Sequence, residues 1–352
     1  MVIICATDYV TDLCNGFQAG QWLQNAVSQL FFHRKRALNI MNKVNLYRSY
    51  KIAGLLAGLL LLVIAFLCSL MFGINYYSLD RIISAYQNFD GSNEHIIIQT
   101  TRMPRALIAA LVGGSLAVAG ALMQAITRNP LASPSIFGVN AGAAFAIVLS
   151  VVIFDVTNIT QYTWIAFFGA AASASAVYLL GSVGRDGLTP IKITLAGSAL
   201  TAFFASLTQG VLLSNGKAFD QVLTWLVGSV AGRTMDMFDS VYLYMLLALL
   251  GSFLLASHIN VLAMGDDVAK GLGQNTVFIK AAAAIVIVLL AGGSVALAGP
   301  VVFVGIIIPH IARFLVGTTT AGCFRIALFL AHCCWSARMW RRALSPCPKK
   351  CP

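Results

Sequence analysis

The sequence predicts an all-α fold, a polytopic transmembrane helical bundle, and three observations predict it. Of the 352 residues, 59% are hydrophobic and only 10% are charged, and the mean hydropathy is +0.84; soluble domains carry about 25% charged residues. Apolar runs near the ~20 residues needed to cross a hydrocarbon core recur along the chain. Alternation of period two is absent, so the backbone groups inside the bilayer must be satisfied within helices.

Eight apolar spans follow in order: 52–72, 106–126, 136–154, 163–183, 193–213, 240–256, 277–298 and 301–316. The first follows MNKVNLYRSYK (41–51), whose basic residues suit a helix entering the membrane. The second and third are joined by TRNPLASPS (127–135), whose two prolines stop one helix and reset the next. Stretches of small residues, GGSLAVAGALMQA (113–125), GAAASASA (169–176) and AGGSVALAG (291–299), allow helices to approach closely without polar glue. The run 222–231 is too short to cross and is expected to be a helix lying near one surface.

The formal charge of +11 suggests nucleic acid at first sight. Its distribution argues against that, because the basic residues lie between the apolar runs and in the two tails; the expected surrounding is membrane lipid, with no nucleic acid. With the N-terminus inside, Arg34, Lys35, Arg36, Lys43, Arg48, Lys51, Arg128, Arg185, Lys192, Lys270, Lys280 and Arg313 fall on the cytoplasmic side. Only Arg81, Arg102, Arg105, Lys217 and Arg233 fall outside, joined by Asp80, Asp90, Glu94, Asp155, Asp220, Asp236 and Asp239. The excess of inside positive charge sets this orientation. Cys5, Cys14 and Cys68 are isolated and Cys323, Cys333, Cys334, Cys347 and Cys351 crowd the end, without paired zinc-ligand spacings. Asp8 and Asp12 precede any basic residue, so the start is not a clean signal peptide.

No Asp, Glu, Lys or Arg occupies the middle of a span. Ion-coupled carriers place ionisable groups at that depth, and an intramembrane enzyme needs a His, Cys or carboxylate constellation facing inward. The expectation is therefore a transport subunit with no catalytic residues, no metal site and no bound cofactor, driven from outside the membrane. One charged island stands out, AMGDDVAKGLG (263–273), between the sixth and seventh spans. Gly265 before it and Gly273 after it frame a short helix 266–271. Acidic residues at its start and Lys270 near its end suit the macrodipole. It reads either as an ordinary solvated loop or as a knob projecting into a partner.

Several motifs in order resemble the permease subunits of ABC importers for iron–siderophore complexes, haem and cobalamin, the type II permeases. RMPRALIAALVGGSLAVAGALMQAITRNPLASPSIFGVNAGA (102–143) is similar to that family's second and third helices, and LAGSALTA (195–202) to the start of its fifth. AMGDDVAKGLG resembles its cytoplasmic coupling loop, and VALAGPVVFVGIIIPHIARFLVG (295–317) its eighth helix. The resemblance covers about residues 50–320. It implies a subunit of ten helices, about eight of them present here, in a bacterial cytoplasmic (inner) membrane. It also implies a second permease subunit, identical or different, two ATPase subunits that use ATP and Mg, and a periplasmic or lipoprotein substrate-binding protein.

By the same resemblance, Gly265, Asp266, Asp267, Ala269, Leu272 and Gly273 couple the chain to the ATPase, and Arg102 and Arg105 dock the binding protein. Thr189, Pro190 and Ile191 fall where the family narrows to an inner gate, although the family favours small hydroxyl residues there. Asn129, Pro130, Pro309, His310 and Arg313 also match; the prolines read as helix-ending geometry and His310 as a packed or interfacial residue. The sequence holds no G-x-x-x-x-G-K-[ST] stretch, so ATP chemistry is expected in the partner.

After Gly317 the motifs stop. The stretch 321–352 is basic and Cys-rich, without acidic residues or a second long apolar run. Back-translated and shifted by two bases, AHCCWSARMWRRA can read ALLLVSADVAAR, similar to the family's ninth helix, so a frameshift near residue 320 is expected. Residues 1–50 are expected to be a cytoplasmic segment, its first forty residues extra upstream sequence or a peripheral amphipathic helix, and 51–320 the permease domain. The predicted function is the permease of a ferric siderophore importer. Haem or cobalamin cargo, a non-functional truncated remnant and a membrane scaffold are the alternatives.

Overall fold

The computed structural model describes residue 56 and residues 58–73, 75–184 and 189–316. By its contacts the chain divides into Met1–Leu56 and Ala57–Pro352, and every element below belongs to the second unit. The expected N-terminal segment 1–50, the start of the first span and the tail 321–352 lie outside the described residues.

Among the described residues all regular structure is helical, as the composition requires. Helix α1 (Gly58–Met71) is followed by two short helices, α2 (Leu79–Gln87) and α3 (Asn93–Ile97). A π turn, Ile98–Arg102, leads from α3 into α4 (Met103–Thr127). A 3-10 turn, Pro134–Phe137, precedes α5 (Val139–Phe154), and α6 (Ile159–Ser182) and α7 (Pro190–Ser214) follow. Then come α8 (Gly216–Leu226), α9 (Met235–Ala263), α10 (Asp266–Gly271), α11 (Thr276–Ala298) and α12 (Val304–Val316). By length and composition, five of these stretches can cross a membrane: Asn93–Thr127, Thr160–Ser182, Pro190–Ser214, Met235–Ala263 and Thr276–Ala298. Helices α1, α5 and α12 are apolar but shorter.

Each of the eight expected spans corresponds to one of these apolar helices. The expected surface helix at 222–231 is corrected: the helix occupies Gly216–Leu226 and has ended before Gly228. Gly228, at φ +73°, brings its backbone against the Pro300 carbonyl, an approach that a side chain would obstruct. Helix α9 is longer than expected at both ends. Asp236 in its first turn is favoured by the macrodipole and does not delay its start.

Helix α4 is the centre of the bundle and is buried along nearly its whole length, packed against α9, α11 and α12. Its small residues make this possible. A Cβ built on Gly120 would stand 1.9 Å from the Gly305 carbonyl oxygen of α12, so the two backbones touch where they cross. The same device places Gly197 of α7 against the Ile136 carbonyl, where a Cβ would stand 1.7 Å away. Close approach of this kind replaces the hydrophobic drive that lipid cannot provide. Several buried hydroxyls turn back on their own helix: Thr127 donates to Met123 O, Ser252 to Leu249 O and Ser294 to Leu290 O. The Gln124 amide instead reaches across to Ile306 O of α12. Helix α7, by contrast, exposes Leu195, Phe203 and Leu213, as a surface turned to lipid or to another helix does.

Gly120→Val is expected to destabilise the bundle by at least about 1–3 kcal/mol, the usual cost of overpacking, because the obstacle is backbone. Gly210→Ala, with no atom within 4 Å of the added Cβ, is expected to be neutral or stabilising. Thermal unfolding of the two variants in detergent checks the contrast.

Candidate functional site

Glycines define the charged island. Met264 still has helical geometry, and Gly265 at φ +137°, ψ +146° turns the chain out of α9 into α10. At the other end Gly273 has φ +79°; its N–H donates to Lys270 O while the Gln274 N–H donates to Ala269 O. This paired pattern closes a helix with a left-handed glycine. Asn275 then caps α11 by accepting from Phe278 N–H. The expected helix 266–271 is present with those bounds.

The six residues of α10 divide into two faces. Inward, Ala269 is fully buried and Asp266 turns toward the bundle. One Asp266 oxygen accepts from Arg128 Nη2, at the end of α4, and the other from Lys280 Nζ, in α11. The same Arg128 nitrogen also donates to Leu262 O of α9 at 3.2 Å, and Gln274 Nε2 donates to His258 O at 3.0 Å. Outward, Asp267, Val268 and Lys270 are exposed, with Met264 (70% exposed) and Leu272 (67%) on either side. Apolar residues flanked by charge in this way suit a protein surface better than water.

The environments of the two cations differ. The Lys280 side chain is only 10% exposed, against 42% for Arg128. An exposed ion pair contributes about 0–1 kcal/mol, whereas a cation this buried depends on its counter-charge. Burial alone would raise the Asp266 carboxyl. The hydrogen bond and charge of Lys280, joined by the charges of Arg128 and Lys270, outweigh burial and hold it below the ordinary carboxylate value. A lowered folded value means that its contribution is present above the ordinary range and lost only as the pH falls through the lowered one.

The other expected site residues lie elsewhere. Arg102 folds back on α1: Nη1 donates to Leu70 O (2.6 Å) and Met71 O (2.9 Å), Nη2 donates to Asn75 O, and the guanidinium lies 4.2 Å from the centre of the Tyr77 ring. A helix end leaves its last carbonyls unpaired, and this side chain supplies donors for two of them. Arg105, one turn on, is partly buried. Thr189 caps α7 by accepting from Lys192 N–H, Pro190 opens the helix and Ile191 is 73% exposed. The Asn129 side chain accepts from Leu131 N–H in the loop after α4; Pro309 is buried within α12, His310 is exposed and Arg313 is partly buried. No group of His, Cys, Asp or Glu among the described residues is arranged to hold a metal.

Arg128 and Lys280 were not expected as members of the site. They stand 138 and 14 residues from Asp266 along the chain. The only sequence signal is complementary charge at three loop ends predicted to share one side of the membrane.

Comparison with known proteins gives a consistent picture. The profile of the FecCD transport family matches residues 61–346, a stretch that runs into the segment beyond Gly317. The probable siderophore transport system permease protein YfiZ of Bacillus subtilis (strain 168) is 52% identical over 257 residues, 73% of this chain and 77% of that protein. The Fe(3+)-citrate import system permease protein YfmD of the same organism is 45% identical over 229 residues, 65% of this chain and 68% of its own length. The ferric enterobactin transport system permease protein FepD of Escherichia coli (strain K12) is 38% identical over 270 residues, 77% of this chain and 80% of that protein. A solved structure described as an inward-facing conformation of a metal-chelate type ABC transporter superposes with a TM-score of 0.72 at 26% identity, covering 83% of this chain and 91% of that one. On the length of the profile match and the identity of these permeases, the chain belongs to the FecCD transport family.

Proposed function

We propose that this chain is the permease subunit of an ATP-driven importer of ferric siderophores in a bacterial inner membrane, with its N-terminus in the cytoplasm. It pairs with a second permease subunit, receives cargo from a substrate-binding protein outside and rests on two ATPase subunits inside. The observation that carries this reading is α10, a short helix held to the bundle by its inward residues and presenting Asp267, Val268 and Leu272 outward. The chain has no phosphate-cradling loop of its own, so nucleotide chemistry belongs to the partner. Closure of an ATPase dimer around α10 moves it, and the close-packed helices carry that movement to the pathway. The names of YfiZ, YfmD and FepD, which speak of siderophore, ferric citrate and ferric enterobactin, support iron chelates over haem or cobalamin.

Thr189, Pro190 and Ile191 form the cytoplasmic gate in this reading. The exposure of Ile191 supports it, since an apolar residue there suits an opposing copy across the pathway. Arg102 and Arg105 give the outer end a positive field that steers an acidic docking partner. Arg102 has a second duty, because its fork serves the α1 carbonyls.

Two experiments test the reading. In the assembled complex, Leu272→Cys is expected to crosslink to an ATPase subunit; the absence of any such product sinks the coupling role. Arg102→Lys keeps the charge and loses the fork, so it is expected to lower stability by about 1–3 kcal/mol while preserving salt-dependent capture of the binding protein. Arg105→Glu is expected to weaken that capture. Unchanged capture with Arg105→Glu speaks against docking there.

A further inference from the structure

Helix α10 is six residues long and joins its neighbours through Gly265 and Gly273, both at positive φ. A push on this helix moves the bundle only if something other than the main chain ties them together. Ala269 packs into the core and Gln274 bonds to His258 O, and the charged tie is one side chain. Asp266 lies on the inward face, and its two oxygens engage different helices, Arg128 at the end of α4 and Lys280 in α11. Arg128 extends the tie to α9 through Leu262 O.

The backbone of Arg128 points the same way. It adopts φ +51°, ψ +30°, the left-handed conformation that caps α4. Such a position is usually glycine, and for a residue with a side chain it is strained. Glycine would fit this turn with less strain than the arginine whose guanidinium is found there. That guanidinium reaches Asp266.

We propose that Asp266 is the positioning residue for energy coupling: with Arg128 and Lys280 it locks α10, the end of α4 and the start of α11 into one moving body. The inference rests on the reading of α10 as the ATPase contact, and adds that the transmitted movement enters α4 and α11 through this carboxylate. Helix α4 is suited to carry it onward, because its buried length packs on α9, α11 and α12. The outward residues Val268 and Leu272 make the contact, and Asp266 passes it on.

The test uses the whole complex, this chain with its second permease subunit, ATPase and binding protein, in liposomes of bacterial phospholipid. It measures ferric siderophore taken up per ATP hydrolysed. Asp266→Asn and Arg128→Gly are expected to lower uptake per ATP hydrolysed about tenfold, within the usual range of a coupling energy between sites, with the crosslink from Leu272→Cys still formed. Lys280→Arg, which preserves the charge, is expected to keep the unsubstituted ratio. Arg128→Gly separates this role from simple stabilisation, because glycine suits the backbone there, and its melting temperature is expected to hold while its coupling fails. Should Asp266→Asn fail to fold, Arg128→Gly carries the test alone. Unchanged uptake per ATP in Arg128→Gly, or a fall that only follows lost thermal stability, overturns the inference while leaving the docking reading intact. Failure of Leu272→Cys to crosslink in the otherwise unsubstituted complex overturns both.

Discussion

A carboxylate shared between two cations fixes how the outermost part of this bundle meets its innermost part. Asp266 sits where three helix ends converge, and its partners belong to α4 and α11. Without it, α10 is a short helix between two glycine links. With it, the most exposed apolar side chains of the 263–273 segment are tied to α4, the most buried of the long helices among the described residues. The geometry is economical: Lys280, nearly buried, needs a counter-charge, and that counter-charge sets the orientation of the knob.

The interior follows from the opposite strategy. Helices α4, α7 and α12 use glycine backbones rather than charges to meet their neighbours, and the buried hydroxyls of Thr127, Ser252 and Ser294 return to carbonyls of their own helix. Where these helices cross, the contact is backbone against backbone, so no ion pair has to break there if they shift. Among the described residues, no Asp, Glu, Lys or Arg lies in the middle of α4, α6, α7, α9 or α11.

Much of this was legible in the chain because membranes impose strict rules. Apolar runs located five helices of crossing length and three shorter apolar ones among the described residues, and the glycines at 265 and 273 bracketed α10 with its observed bounds. The misplaced surface helix shows where such rules weaken. Residues 216–226 are amphipathic and 227–231 remain apolar, so hydropathy alone slid the segment downstream, past a stop set by Gly228 packing on Pro300. Arg102 was expected to project toward a partner, yet its guanidinium turns to the Leu70 and Met71 carbonyls at the end of α1. Asp266 was expected at the coupling loop, but its partners were not, because pairing across 138 residues leaves no periodicity behind.

The most direct measurement of the central claim is a distance. Spin labels at the exposed residues Leu131, in the loop after α4, and Lys270, on α10, report whether these elements move together when the assembled transporter binds ATP. A clamped body keeps that separation within about 1–2 Å between nucleotide-free and ATP-bound states, no more than a typical packed-helix shift. A change of several ångströms between the two labels would show that α10 swings on its glycines and that Asp266 does not transmit the stroke.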